Sequence, residues 1–260
     1  MGKHDPRVSA LILAKDEARN LPQCLATVAW ANEVIVVVDR ASRDQTEAIA
    51  KRGADLVAIR TFDDFASQRN AALELASGEW VFAIDADERA SPELAGEIRR
   101  VISDPDLPHV GYRIPIKSFI LGRQFHYSGT QNDRPLRLFR RGYGRWQGTV
   151  HETVALEGSA DTLRFHLAHR TIPDMQTFVR KINEYTTLEA LKFEREGRKY
   201  RLTHLILGPI WTFLRLYIAR GGFRDGLEGL TFCLMSAVST GVRHFKHREI
   251  VRAKKAGKRP

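Results

Sequence analysis

Cysteine is nearly absent from the 260 residues: Cys24 and Cys233 stand alone and far apart. They give no disulfide framework and no metal-ligand spacing, so a reducing compartment is expected. The 19 glycines are not arranged to cradle phosphate. Neither G-x-G-x-x-G nor G-x-x-x-x-G-K-[ST] follows an apolar run, which argues against a dinucleotide-binding dehydrogenase and a P-loop NTPase. The first apolar run, Val8 to Ala14, is short and leads into Lys15-Asp16-Glu17. A strand, not a secretory signal, is expected there. Uncharged apolar stretches long enough to cross a bilayer, roughly eighteen residues, are also missing. Leu205 to Leu214 stops at Arg215, and Gly229 to Val242 contains Ser, Thr and Gly. Acidic residues are scarce in one region only. Residues 195–260 hold 15 Lys and Arg against 4 Asp and Glu, whereas residues 1–194 hold 26 against 27. The formal charge of +10 therefore belongs to the C-terminal part, where nucleic acid, anionic lipid or an acidic partner would feel it.

What is present alternates. Val8 to Ala14 reads as a strand and Asp16 to Trp30 as a helix, with Leu21, Leu25 and Val28 at helical spacing. Glu33 to Asp39 is an unbroken β-branched run suited to a strand buried on both faces. Ser42 to Arg52 follows as a helix with Ser42 or Asp44 as N-cap. Ala54 to Ile59 is a strand, Phe65 to Ala76 a helix closed by Ser77-Gly78, and Ser91-Pro92-Glu93 starts another helix after the run from Trp80. Alternation through residue 103 predicts an α/β fold of βαβ units around a parallel sheet, with ligands beyond the carboxyl ends of its strands. Lys15-Asp16-Glu17, Asp39 and Asp85-Ala-Asp87 all fall at such ends. From Val110 the periodicity changes. Strands are expected over Gly111 to Phe119, Pro135 to Phe139 and Thr162 to Leu167, then a helix over Met175 to Arg195. The remainder is helical, interrupted at Gly208-Pro209 and Gly221-Gly222.

The chemistry centres on Trp80-Val-Phe-Ala-Ile-Asp85-Ala-Asp87-Glu88, an apolar strand ending in carboxylates. Residues i and i+2 of an extended strand share a face, so Asp85 and Asp87 are expected to converge on one divalent cation. Mg²⁺ is typically held by one or two carboxylates plus substrate phosphates. His151-Glu152 is the second candidate. A carboxylate within hydrogen-bond reach of an acceptor hydroxyl can take its proton; Glu152 fits that role, with His151 as a metal or phosphate ligand. A solvent-facing strand end is the plainer alternative, and Glu88 and Asp133 are rival bases. Asp39 suits either an Asx turn or the sheet rim. His126, His166 and His169 lack ligand spacing and are expected at the surface or as satisfied interior groups, and Trp146 is expected in the core.

An ordered series carries a more specific signal. It runs Leu13-Ala14-Lys15-Asp16-Glu17, Val37-Val38-Asp39 with Ser42-Arg43-Asp44-Gln45-Thr46, Gln68-Arg69-Asn70 with Ala76-Ser77-Gly78-Glu79-Trp80, and Asp85-Ala86-Asp87-Glu88. Arg137-Leu-Phe-Arg140, Trp146-x-Gly148-x-Val150-His151-Glu152 and Gly222-Phe223-x-Asp225-Gly226 continue it. The set resembles family 2 glycosyltransferases of the GT-A fold, and within them the lipopolysaccharide core β-1,4-glucosyltransferase-like enzymes. The resemblance covers nearly the whole chain. It implies a GT-A catalytic domain over residues 1–195 (1–103 the nucleotide-binding half, 104–195 the acceptor half), and inverting transfer of a hexose from a nucleotide-diphosphate sugar, a UDP-sugar favoured. It further implies nucleotide-sugar contacts from Ala14, Lys15, Glu17, Asp39, Arg69, Asn70 and Asp85, and a D-x-D metal site at Asp85 and Asp87 for Mg²⁺ or Mn²⁺. Arg40, Arg43 and Gln45 depart from the usual small polar segment, and Asp16 stands where the family often has Asn.

The tail points to the partner. The apolar, aromatic run from Leu205 to Ile218 is bordered by Arg201, Arg215, Arg220 and Arg224, and the final eighteen residues hold eight Lys and Arg against one Glu. Apolar faces edged by basic residues suit an anionic bilayer interface. Residues 196–260 are therefore expected to form a helical, basic, membrane-interfacial extension, placing a glycolipid-modifying enzyme on the cytoplasmic face of the membrane. No groove-reading or base-stacking motif supports nucleic acid. A polysaccharide or protein acceptor, or a non-catalytic membrane-attached binding protein, are the alternatives.

Overall fold

The computed structural model describes residues 6–104, 106–130, 133–148, 152–199 and 201–256. In chain order the first elements are β1 (Val8–Ala14), α1 (Leu21–Val28), β2 (Glu33–Asp39), α2 (Thr46–Gly53), β3 (Leu56–Arg60), α3 (Phe65–Leu75), β4 (Trp80–Asp85), β5 (Glu88–Ala90), α4 (Pro92–Ile102) and β6 (Gly111–Arg113). A run of short strands follows: β7 (Ile116–Ile120), β8 (Arg123–Gln124), β9 (Leu136–Arg140), β10 (Gly144–Gln147), β11 (Thr153–Leu156), β12 (Ala160–Thr162) and β13 (Leu167–Ile172). Then come α5 (Met175–Arg195), α6 (Leu202–Leu214) and α7 (Gly226–Lys255). Packing divides the chain into two compact units, Met1–Ile116 with Asn132–His169, and Lys117–Gln131 with Arg170–Pro260.

The first unit is built on a seven-stranded sheet in the order β12-β6-β9-β4-β1-β2-β3. β4, β1, β2 and β3 are mutually parallel, while β9 enters antiparallel between β4 and β6. This is the α/β architecture, mostly parallel with flanking helices, that the alternating sequence predicts. Alternate residues of each central strand enter opposite layers. Ala10, Ile12, Val34, Val36, Phe82 and Ile84 pack on one face with Leu21, Leu25 and Val28 of α1 and Leu94 and Ile98 of α4. Leu11, Ile35, Val37, Val81 and Ala83 pack on the other with Ala66 and Ala72 of α3, Phe139 and Trp146. That two-sided burial is why Glu33 to Asp39 carries no alternation. Register sets Leu13 opposite Asp85 and Ala14 opposite Val38, so the carboxyl ends of β1, β2 and β4 share one rim. Gly78 lets α3 return beneath the sheet: a Cβ there would lie 2.7 Å from the Ser9 backbone nitrogen.

Two helices start later than their periodicity predicts. α1 begins at Leu21, not Asp16, because Asp16 has φ +52° and Leu21 opens the helix with Pro22 behind it. α2 begins at Thr46, since the Ser42 backbone N–H is bonded to the Asp39 carbonyl and Asp44 accepts from the Thr46 N–H. Both displaced segments are rim loops.

In the second unit, β7 and β8 form a hairpin, and Ile120, Phe125, Ile172 and Phe178 make a small core with Phe232 of α7. α6 runs antiparallel to α7, with His204 near His244 and the Thr212 hydroxyl 3.1 Å from that of Thr240. The buried Asp225 carboxylate accepts from the His126 and Tyr127 N–H groups and from the Ser128 hydroxyl, fixing the turn that enters α7. α5 also belongs here, through Phe178 stacked on Phe232 and Glu189 paired with Arg243. Packing therefore divides the chain after His169, ahead of residue 195, because the charged helix lays its apolar stripe on α7. The helix continues past Leu214 as one π turn, Arg215–Ala219. Leu202–Ala219 is thus long and apolar enough to cross a membrane by length and composition, with mean hydropathy 1.3 and none of it buried. Arg215, where the uncharged run ends, is accommodated within the helix without a break.

Candidate active site

The rim at the carboxyl ends of β1, β2 and β4 gathers most of the residues singled out from sequence. Ala14 is buried at the end of β1 and Lys15 follows it into solvent. The Asp39 carboxylate, 6% exposed, accepts from the Ala41 N–H through Oδ1, an Asx-turn bond, and lies 3.3 Å from the Lys15 ammonium through Oδ2. Oδ2 is buried and has no hydrogen-bond donor on it. Asp39 is therefore at once a turn residue and a rim group whose Oδ2 faces the Lys15 ammonium without accepting a hydrogen bond. The β1 loop is tied to the β2 loop: Asp16 N–H donates to Ser42 Oγ, Glu17 N–H to Thr46 Oγ1, Ala18 N–H to Asp44, and Arg43 N–H to Asp16. Positive φ explains the residue choice, because Asn and Asp tolerate the left-handed region better than other side chains. Glu17 accepts from Asn20 Nδ2.

At the end of β4, a network of two guanidinium groups and three carboxylates is closed by charge-assisted hydrogen bonds. Arg69 of α3 donates through Nη2 to Asp85 Oδ1 at 2.7 Å and through Nε to Glu152 Oε1 at 3.0 Å. Arg137 of β9 donates to Asp85 Oδ2 and to Glu88 Oε1, both at 2.8 Å. Glu88 Oε2 accepts the Asp85 N–H at 2.8 Å. Burial alone would raise the Asp85 carboxyl, but the charges of Arg137 and Arg69 hold it well below the usual carboxylate range. Burial pushes Glu88 up, opposed by Arg137 and assisted by the negative charge of Asp85. Glu88 is 0% exposed with both oxygens engaged, so it cannot reach an acceptor hydroxyl. Glu152 stays partly accessible, and Asp133 is exposed. Asn70 does not point into the rim. Its amide donates to the Trp146 carbonyl and accepts from the Trp146 N–H, clamping β10 to α3. Trp146 is buried and packs edge-on against Phe139, as expected of a core residue.

Asp87 takes a different partner from Asp85. Its Oδ2 lies 3.2 Å from His169 Nε2, which β13 delivers by pairing antiparallel with β5, His169 opposite Glu88. Burial would lower the imidazole's pKa, but the Asp87 bond and the charges of Asp87, Glu88 and Asp85 raise it. Asp85 and Asp87 thus sit in adjacent but separate polar pairings, not as one matched pair of free carboxylates. Among the described residues no cluster of three or more His, Cys, Asp or Glu stands ready to hold a metal. Asp87 and His169, bonded to each other at 3.2 Å, are the oxygen and nitrogen that could be offered to a divalent cation once the imidazole is deprotonated. Asp85 has both oxygens engaged by guanidinium groups, and His151 lies outside the described residues. Two residues have roles here that their place in the sequence does not mark, although His169 is a satisfied interior group as one of its expected readings had it. His169 has no local spacing to mark it, since its approach to Asp87 depends on strand pairing across eighty-odd residues. Arg137 was visible only as part of a motif, without a role.

Comparison with known proteins shows the family. The family model "Glycosyl transferase family 2" matches residues 9–155. A lipopolysaccharide core biosynthesis glycosyltransferase, LpsC of Rhizobium meliloti (strain 1021), is 32% identical over 239 residues, covering 89% of this chain and 88% of its own length. An uncharacterized glycosyltransferase of Rickettsia typhi is 24% identical over 255 residues, covering 94% and 87%. Among solved structures, the mannosyltransferase PcManGT of Pyrobaculum calidifontis in complex with GDP-Man and Mn²⁺ is similar at TM-score 0.49 and 18% identity, covering 98% of this chain and 77% of that one. S. aureus TarS 1–349 in complex with UDP-GlcNAc is similar at TM-score 0.48 and 13% identity, covering 97% and 92%. The family model takes in β1 to β11, including the Arg69–Asp85–Glu152 network, and LpsC aligns along most of both chains; this chain belongs to glycosyltransferase family 2 and is a glycosyltransferase.

Proposed function

We propose that the enzyme transfers a hexose, with inversion, from a nucleotide-diphosphate sugar, UDP-linked by preference, to a glycolipid acceptor of the lipopolysaccharide inner core. The observation that carries this reading is the single Arg69 guanidinium shared by Asp85 and Glu152, beside Asp87 and His169. Residues 1–103 would hold the donor. The Asp39 Oδ2, which accepts no hydrogen bond but faces Lys15, suits a hydroxyl or N–H of the nucleoside once Lys15 swings aside, and Ala14, Lys15 and Glu17 line the same rim. Asp87 and His169 would hold Mn²⁺ or Mg²⁺, with remaining positions left to diphosphate and water. Bound there, the cation would supply charge neutralisation for a departing diphosphate. Arg69 holds Asp85 ionised and orients Glu152. Glu152 keeps one oxygen for the proton of the acceptor hydroxyl, in residues 104–195, the acceptor half. Asn70 contributes by fixing β10, not by touching the donor.

The acceptor class rests on LpsC, a lipopolysaccharide core biosynthesis glycosyltransferase, and on the second unit. α6 turns Leu202, Ile206, Leu207, Ile210, Trp211, Leu214 and Ile218 outward, Trp211 being 66% exposed. α6 packs along α7 through His204 beside His244 and Thr212 beside Thr240, and α7 also carries Arg243 and Lys246, which pair with Glu189 and with Asn183 and Thr187 of α5. Crossing the bilayer would carry those charges into hydrocarbon at a cost of several kcal/mol. Residues 196–260 therefore lie in the interface of the inner leaflet, and the enzyme is cytoplasmic and peripheral.

The test is transfer from a panel of nucleotide sugars to a truncated inner-core glycolipid with Mn²⁺ or Mg²⁺, reading the product's anomeric configuration. Glu152→Gln should lower kcat by roughly 10²- to 10⁴-fold with donor affinity retained. Full activity in that variant removes Glu152 as the base. Transfer only to a polysaccharide or protein replaces the acceptor assignment.

A further inference from the structure

Away from the rim, the second unit carries an open pocket of about 640 Å³ lined by Arg198, Lys199, Arg248, Val251, Arg252 and Lys255. Five of its six lining residues are cationic. Arg198 is paired with Glu196, and the neighbouring Lys254 with Glu194. Lys199, Arg252 and Lys255 are exposed and have no acidic partner among the described residues. Three uncompensated charges held around one concavity repel one another, and an anion placed between them relieves that repulsion. Position identifies the anion's source. Lys199 stands just before Leu202, where the exposed apolar helix α6 begins. A cationic pocket at the edge of an apolar face matches the layering of a bilayer surface, phosphate beside hydrocarbon.

We propose that this pocket binds the phosphate of an anionic lipid headgroup while the outer face of α6 rests in the acyl region. The proposal rests on the membrane-interface reading and adds a discrete site to it. The pocket selects phosphate by its three uncompensated cations, Lys199, Arg252 and Lys255, and phosphomonoester headgroups, carrying more charge than diesters, bind best.

The test compares flotation of the full chain on phosphatidylcholine vesicles with and without phosphatidic acid. K199Q/R252Q/K255Q should bind the phosphatidic acid vesicles roughly a hundredfold more weakly. K51Q/R52Q/R100Q, which removes the same charge from exposed sites elsewhere, should lose far less. Equal loss in the two variants overturns the pocket while leaving the membrane reading intact. Failure of the wild-type chain to float on either vesicle overturns both. Thermal stabilisation by inorganic phosphate, absent from K199Q/R252Q/K255Q and unaccompanied by vesicle binding, assigns the pocket to soluble phosphate and overturns the lipid source.

Discussion

Arg69 and Arg137 are the residues on which the rim's electrostatics turn. Each bridges two carboxylates, and Asp85 is common to both. Without them Asp85 and Glu88 would be two neighbouring, largely buried acids, a like-charge arrangement that disfavours ionisation. Arg137→Met should therefore destabilise the fold by about 3–5 kcal/mol, since it leaves buried charge unpaired. Glu88→Gln made in addition should recover part of that loss, as the second charge is then removed as well. Urea denaturation of the two variants measures both effects. A loss under 1 kcal/mol for Arg137→Met, on the order of an exposed pair's worth, would mean that water already screens the site.

Elements decide how that network is presented. α3 carries Arg69 and Asn70 on consecutive positions, one aimed at the rim and the other clamping β10, so the helix start fixes both. Asp64 is its N-cap, accepting from the Ser67 N–H at 2.8 Å and the Ser67 hydroxyl at 2.9 Å. Asp64→Ala should cost about 1 kcal/mol, while Asp64→Ser retains most of it; thermal unfolding separates the two. The central strands and helices were legible in sequence because each had its own periodicity, and the rim followed from the strand ends. Asp39, Asp85 and Asp87 could be located that way, whereas Arg69, inside α3, was marked only by the family motif. The starts of α1 and α2 could not, because inter-loop bonds such as Glu17 to Thr46 hold those segments out of helix. His169 stayed hidden for a related reason: β13 is short, and its pairing with β5 is set by tertiary register, which no local spacing encodes. Arg137 shows the same limit, its target lying on a strand far earlier in the chain.

Across the whole molecule, charge and titration are segregated. The first 194 residues are nearly neutral and the rest strongly basic, so vesicle binding should weaken as salt rises through the range where the Debye length falls below about 10 Å. Transferase activity on a soluble, short-chain acceptor should change little over the same range. The second unit also holds two histidines whose pKa values are pushed down. His244 lies in α7 beside His204 of α6 and Phe193 of α5. Burial first, then the positive charges of Arg243, His204, His247 and Arg198, push its pKa down to about 4; His247, lowered by burial and Arg198 though opposed by Glu194, moves in the same direction. An unfolded histidine titrates near 6.5, so between these values the unfolded chain binds the extra proton. Stability then rises with pH across that window. The contribution is complete above about pH 6.5 and is lost progressively as the solution is acidified toward pH 4. The melting temperature of the wild-type protein should therefore drop on going from neutral pH to about pH 5, and His244→Asn should flatten that drop. Parallel pH profiles for the two proteins would show that His244 takes up its proton in the fold at no cost, and that the packing of α6 against α7 is not what acid loosens.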